Sequence, residues 1–248
     1  MSFPDHFSRV AGDYAASRPR YPDALFAWLA SIAPGRRLAW DAGCGSGQAS
    51  TALGAHFDRV VATDASTAQL AAAEPGAHVS YHEGRESNPA LADRSVDLVT
   101  VAQAVHWFDR PQFWAEAHRV LAPDGVLAVW TYGVAQITPH VDAVIAPFYG
   151  DVLGPYWPPE RAHCDTHYRD IGFPYATLPS PAFAMSATWS RAQLVAYLRT
   201  WSAVGQYLRR EGVDPVLALE PALAAVWPDA VDRTVTWPLT VLAGRGQR

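Results

Sequence analysis

The chain contains no lysine, so all nineteen of its cationic side chains are arginine. Chemistry built on a Tyr-x-x-x-Lys pair is therefore excluded. Cysteine is scarce as well. Cys44 and Cys164 cannot form a disulfide framework, and the chain reads as intracellular. Nowhere do basic residues cluster, and a net charge of −5 with scattered acids offers no electrostatic face to nucleic acid. Long apolar runs are absent too: none approaches the roughly 18 residues of a membrane helix. Asp5, Arg9, Asp13, Arg18 and Arg20 interrupt the start of the chain, which excludes a signal-peptide core. A soluble, cytoplasmic protein is expected, as a monomer or weak homodimer that binds neither nucleic acid nor membrane.

What is present is ample material for a core: 248 residues, half of them apolar and only 17% charged. Phe7, Val10, Ala11 and Tyr14 share one helical face, predicting a helix over residues 5–16 that stops before Pro19. A second helix is predicted over residues 22–33. From Leu38 the pattern changes to alternation. Apolar runs at residues 38–40, 60–63, 78–81, 96–101 and 126–130 are separated by helical stretches at 47–55, 66–74 and 110–121. Strand and helix in strict succession predict βαβ units and a parallel sheet with helices on both faces. Residues 134–188 are rich in proline and aromatics without clear periodicity, which suggests a lid. One long helix is expected over residues 190–210 and a closing strand over 233–243, where Pro238 suggests an edge or an irregularity. These readings divide the chain into a core with N-terminal helices (1–132), an insertion (133–189), and C-terminal helices with a closing strand (190–248).

The first apolar run leads into Asp41-Ala42-Gly43-Cys44-Gly45-Ser46-Gly47. Three glycines allow a tight strand-to-helix turn and a close approach of backbone to a ligand. A dinucleotide fingerprint needs G-x-G-x-x-G, yet Gln48 and Ser50 stand where its third glycine belongs. Asp41 at the strand end also disfavours a pyrophosphate, while it suits a ligand carrying an ammonium. Asp64 ends the second strand, where a carboxylate can accept both hydroxyls of an adenosine ribose. Its plainer role is a helix N-cap.

The segments Leu38–Gln48, Val60–Ser66 and Ser95–Val99 resemble the class I S-adenosylmethionine-dependent methyltransferases. Ala102–Asp109 and Glu116–Gly125 resemble more narrowly the branch of trans-aconitate methyltransferases and related small-molecule enzymes. The likeness implies a Rossmann-like, doubly wound, mostly parallel seven-stranded sheet with an N-terminal helical segment and an inserted aromatic- and proline-rich lid. It implies S-adenosyl-L-methionine as cofactor, bound by Asp41, Gly43, Cys44, Gly45, Gly47, Asp64, Ala65 and Gln103. It further suggests Glu86 for adenine, unless that side chain is merely solvated. Arg18, in the family-like stretch Tyr14–Pro19, would grip the cofactor carboxylate through two bonds.

His106, after the fourth strand, is either a general base or a hydrogen-bonding wall of the acceptor pocket. Tyr14, Trp107, Tyr132 and Trp201 are expected to line that pocket with it. Arg161, Arg169 and Arg199 are possible partners for an acceptor carboxylate. His163 and His167 stand four apart, but the ligand set of a metal site is missing, so no metal is expected. Together these features point to a methyltransferase of small organic molecules, with carboxyl O-methylation favoured by the resemblance. N- or hydroxyl O-methylation of a secondary metabolite is the alternative, and a non-catalytic adenosylmethionine-binding protein is another.

Overall fold

The computed structural model describes residues 19–88 and 90–246. Helix 5–16, Tyr14 and Arg18 thus lie outside the described residues. Helix α1 (Asp23–Ile32) precedes a run of five strands: β1 (Ala39–Ala42), β2 (Val60–Asp64), β3 (Val79–Glu83), β4 (Val96–Ala102) and β5 (Leu121–Tyr132). Between them lie α2 (Gln48–Leu53), α3 (Thr67–Ala71) and α4 (Arg110–Val120). The single sheet has the order β3-β2-β1-β4-β5-β7-β6, parallel throughout β1 to β5 and antiparallel at β6 (Phe183–Trp189) and β7 (Arg233–Arg245). The order reverses between β1 and β4, the place where ligands of such sheets bind at the carboxyl ends of the strands.

Side-chain alternation explains why the sheet is covered twice. Leu98, Val126, Ala128 and Trp130 pack beneath Leu25, Phe26 and Leu29 of α1 and Leu53 of α2. Their neighbours Val99, Val101, Leu127 and Val129 face the other way, onto Phe113, Ala117 and Val120 of α4. A strand with period 2 and apolar residues at every position must bury both faces, as parallel sheets do. Helix starts are capped locally: Ser66 accepts the Gln69 N–H, Asp109 that of Gln112, and Ser190 forms a capping box with Gln193.

The outer third departs from expectation. The presumed lid is built of α5 (Pro139–Pro147), a π-helical turn at Phe148–Val152, two short turns of helix and α6 (Ala162–Asp165), and it ends in a strand, β6. The long helix expected over residues 190–210 is two, α7 (Arg191–Arg199) and α8 (Ser202–Glu211), broken at Trp201. Trp201 has extended backbone and a buried indole stacked among Phe148, Tyr149, Trp157 and Tyr197. Aromatic packing overrode helical periodicity there. A further helix, α9 (Val216–Val226), follows. Val141, Ile145, Leu194, Leu198, Val216, Leu223, Trp227 and Trp237 join the insertion and α7–α9 into one second core.

Pro238 is not on an edge strand, because β7 lies between β5 and β6. It stands opposite Ala184 and one residue beyond the last β5–β7 pair, Tyr132 with Leu239. At that point β7 has a partner on one side only, which is where a missing N–H is tolerated. Among the described residues, no helix is long and apolar enough to cross a membrane.

Candidate active site

All five parallel strands deliver residues to one cavity at their carboxyl ends. Gly43–Ser46 follow β1, Asp64–Ser66 follow β2, Gly84–Glu86 follow β3, Ala102–Ala104 follow β4, and Tyr132 ends β5. Pro19, Arg20 and Tyr21 border it on the N-terminal side, and Arg20 pairs with Glu74 at 2.7 Å. The cavity measures about 180 Å³, and a neighbouring one about 70 Å³. Gln103, Trp107 and Tyr132 line both.

The glycine loop is shaped for close approach. Gly43, Gly45 and Gly47 all have positive φ, at 68°, 55° and 83°. A Cβ on Gly47 would collide with the Tyr81 ring, whereas one on Gly45 would meet nothing nearer than Gln69 Oε1 at 3.8 Å and would instead take up cavity space. Gly47 therefore turns the chain into α2 without lining the cavity.

Asp64 ties this loop to β2. One carboxylate oxygen accepts the Gly45 N–H at 2.8 Å and the other accepts the Ser66 N–H at 2.8 Å. Burial raises its pKa, opposed by bonds from the backbone of Ser66, Gly45 and Ala65. Each oxygen has a second lone pair to offer. Ser66, not Asp64, is the N-cap of α3, so the plainer role considered for Asp64 falls to its neighbour.

Asp41 does not line the cavity. It is fully buried behind the loop, accepting bonds from Ser50 Oγ at 2.5 Å and Thr100 Oγ1 at 2.9 Å. Burial lifts its pKa to about 6, despite those two hydroxyl bonds. Any influence of Asp41 on a ligand ammonium thus runs through backbone or water, and the side chain itself braces the start of α2 through Ser50. Cys44 does line the cavity, but burial pushes its thiol far above the usual range, leaving it inert.

Gln103 sits at φ 55°, uncommon for a residue with a Cβ. Its side chain holds it there by pairing twice with Tyr132: Oε1 accepts the backbone N–H at 3.0 Å, and Nε2 donates to the carbonyl at 3.3 Å. The amide thereby extends the β4–β5 ladder by one side chain and forms the partition between the two cavities. Glu86 reaches the larger cavity and accepts the Asp109 N–H at 3.2 Å.

His106 and Trp201 open onto the smaller cavity together with Tyr149, Trp157, Arg161 and Tyr197. His106 is buried, with Nδ1 2.8 Å from Tyr168 Oη. Burial depresses its pKa to about 3, and the positive charge of Arg161 adds to the effect. At neutral pH it is an uncharged imidazole. Tyr168 had no distinguishing pattern in the sequence and reaches His106 through folding of the insertion, while Tyr197 is brought to the cavity by α7. Arg199, by contrast, pairs with Asp214 and Glu220, and Arg169 lies exposed. α6 ends at Asp165, so His163 and His167 share no helical face.

Comparisons with known proteins agree with this geometry. Residues 40–129 match the family model described as a methyltransferase domain. A methyltransferase of Dictyostelium discoideum is 32% identical over 225 residues, spanning 89% of this chain and 86% of that protein. The chain belongs to the class I S-adenosylmethionine-dependent methyltransferases.

Its cofactor is S-adenosylmethionine. A solved structure described as a type II methyltransferase from Anaeromyxobacter dehalogenans superimposes on this methyltransferase with a TM-score of 0.87. It is 44% identical and covers 93% of this chain and 98% of its own. The malonyl-[acyl-carrier protein] O-methyltransferase of Dechloromonas aromatica is 36% identical over 141 residues, 52% of each chain. A cavity under a glycine loop, with the Asp64 carboxylate on its wall, fits an adenosyl group with an amino-acid tail.

Proposed function

We propose that this methyltransferase methylates a carboxylate oxygen of a small organic acid, with cofactor in the larger cavity and acid in the smaller. One observation carries the choice of acceptor: among the described residues, no strong proton acceptor lines the smaller cavity. None of those residues is aspartate or glutamate, and His106 has its pKa near 3. A phenol, alcohol or ammonium must shed a proton to become a nucleophile. A carboxylate is already ionised near neutral pH. That a malonyl-carrier O-methyltransferase is among the relatives supports the reading.

In this arrangement Asp64 accepts from the ribose hydroxyls with its remaining lone pairs. Gly43, Cys44 and Gly45 pass the backbone close to the cofactor, and Ala65 and Glu86 flank the adenine. S-adenosylmethionine, when bound, supplies an electrophilic methyl group on a sulfonium. Gln103, Trp107 and Tyr132, common to both cavities, surround the junction where acceptor and methyl meet. Trp107 offers its face to positive charge there, and the partition orients the acceptor and excludes water. His106 holds the wall as a neutral hydrogen-bonding partner of Tyr168.

The test uses adenosylmethionine labelled in its methyl group and a mixed panel of small carboxylic acids, phenols and amines. Label recovered in alkali-labile methyl esters is expected. Label confined to alkali-stable ethers or N-methyl products overturns the carboxyl reading.

A further inference from the structure

Among the described residues, one cation lines the smaller cavity: Arg161, whose charge is favoured by Cys164, Tyr149 and Asp165 nearby without a close ion pair. Arg161 Nη1 is buried and makes no hydrogen bond. Arg119, Arg191 and Arg199 are neutralised within the fold, by Glu116 and Asp93, by Asp229, and by Asp214 and Glu220; Arg233, which has no carboxylate partner either, donates to Thr138 Oγ1 and the Val226 carbonyl and lines neither cavity. Among the described residues, no carboxylate lies within ion-pair distance of Arg161, and none lines its cavity. Glu160, its neighbour in sequence, does not pair with it, and Asp165 accepts the Tyr149 hydroxyl at 2.6 Å. The guanidinium instead lies over the Trp157 ring, 5.5 Å from its centroid. It cannot shed its charge by deprotonation.

A buried cationic nitrogen without a hydrogen bond is costly to the free protein, and a ligand anion can supply the missing partner. Around it the walls are aromatic. Trp157 packs on Trp201 at 5.6 Å and on Tyr149 at 4.9 Å between ring centroids. One positive charge among aromatic rings, with few other polar groups such as Gln103, His106 and Ser202, matches one negative charge on a body with a planar or apolar part.

We propose that Arg161 binds the acceptor carboxylate, and that the aromatic walls select an apolar monocarboxylic acid. This rests on the carboxyl reading above and narrows it. A polyacid such as trans-aconitate would find no second cation on this wall among the described residues. In the reaction, a carboxylate oxygen donates an electron pair to the methyl carbon. The carbon–sulfur bond breaks with its pair staying on sulfur, and no proton moves. The product ester is neutral, so the hold of Arg161 weakens once the methyl has been transferred, which favours release.

The experiment measures binding, with turnover as a separate arm. Benzoate, phenylacetate and octanoate are titrated into the full chain saturated with adenosylhomocysteine, following tryptophan fluorescence and heat. Matching probes are benzamide and the diacid isophthalate. At least one monocarboxylate is expected to bind, with isophthalate at least tenfold weaker than benzoate. In Arg161→Gln the monoacid Kd rises about tenfold to a hundredfold, the loss expected for a charge-assisted hydrogen bond. Adenosylhomocysteine affinity stays within twofold, showing the fold intact, benzamide binding is unchanged, and Arg161→Lys recovers part of the loss.

Failure of the wild-type chain to bind any of the monoacids overturns the proposal. So does an unchanged monoacid Kd in Arg161→Gln, an equal loss for benzamide, or tight binding of isophthalate. Monoacids that bind through Arg161 yet yield no ester leave this site standing and overturn the carboxyl reading alone. Ester formation by wild type that persists undiminished in Arg161→Gln does the reverse.

Discussion

His106 offers a sharp test of the electrostatics, because its depressed pKa must appear as acid sensitivity of the fold. In the unfolded chain a histidine titrates near 6.5. In the folded chain burial and Arg161 hold it near 3. A depressed folded-state pKa contributes stability that is fully present above the unfolded value and is lost as pH falls toward the folded one. Each pH unit within this window corresponds to about 1.4 kcal/mol. Between pH 7.5 and pH 5 the loss from this one side chain is about 2 kcal/mol by that linkage.

His106→Gln keeps a hydrogen-bonding partner for Tyr168 but cannot titrate. Its stability relative to wild type should therefore improve by about 2 kcal/mol on going from pH 7.5 to pH 5. Urea unfolding of both proteins at several pH values, followed by fluorescence, reads the double difference directly. Other titrating groups, common to both chains, cancel. Parallel stability curves for the two proteins would refute the claim that His106 is buried and neutral. The same substitution separates base from wall: a carboxyl methylase should keep much of its turnover in His106→Gln, while a hydroxyl methylase should lose most of it.

Asp41 should behave in the opposite sense. Its pKa is raised to about 6, so the stability it contributes is present at low pH and lost as pH rises through 6. The shift of about two units is worth about 3 kcal/mol. Asp41→Asn should remove that loss, so that its stability relative to wild type rises from pH 4 to pH 7.5 in urea unfolding. Asp64→Ala deletes the anchor of the glycine loop and the proposed ribose acceptor. Adenosylhomocysteine affinity by calorimetry should fall well over tenfold, and an unchanged value would place the ribose elsewhere. Gly47→Ala forces a Cβ into a left-handed backbone and against Tyr81. Thermal unfolding should show a loss of about 1–3 kcal/mol, and an unaltered transition would mean that the loop relaxes freely.

The cofactor half of this enzyme was legible in its residues because it is local. A strand, a glycine turn and a helix lie within twenty residues, and Asp64 closes the next strand. Short apolar runs between helical stretches named the parallel strands, and the missing third glycine argued against a dinucleotide. Where reading failed, long-range packing decided. Asp41 belongs to the motif, but only the approach of Ser50 and Thr100 shows that it is enclosed and spent. The helix predicted through Trp201 breaks because its indole is claimed by rings from the insertion.

The acceptor half was written in composition and assembled only in three dimensions. Proline and aromatics over residues 134–188 suggested a cover, without saying which ring or which arginine faces inward. Arg161, Arg169 and Arg199 were equivalent in the sequence. Tertiary contacts gave Arg199 two carboxylates, left Arg169 at the surface, and buried Arg161 with an unpaired nitrogen beside His106. By itself the sequence determined the cofactor, since a turn, a helix start and a strand end are short-range consequences of residue type. Tertiary structure decided which charges remain unpaired, because pairing depends on which distant segments a folded chain brings together.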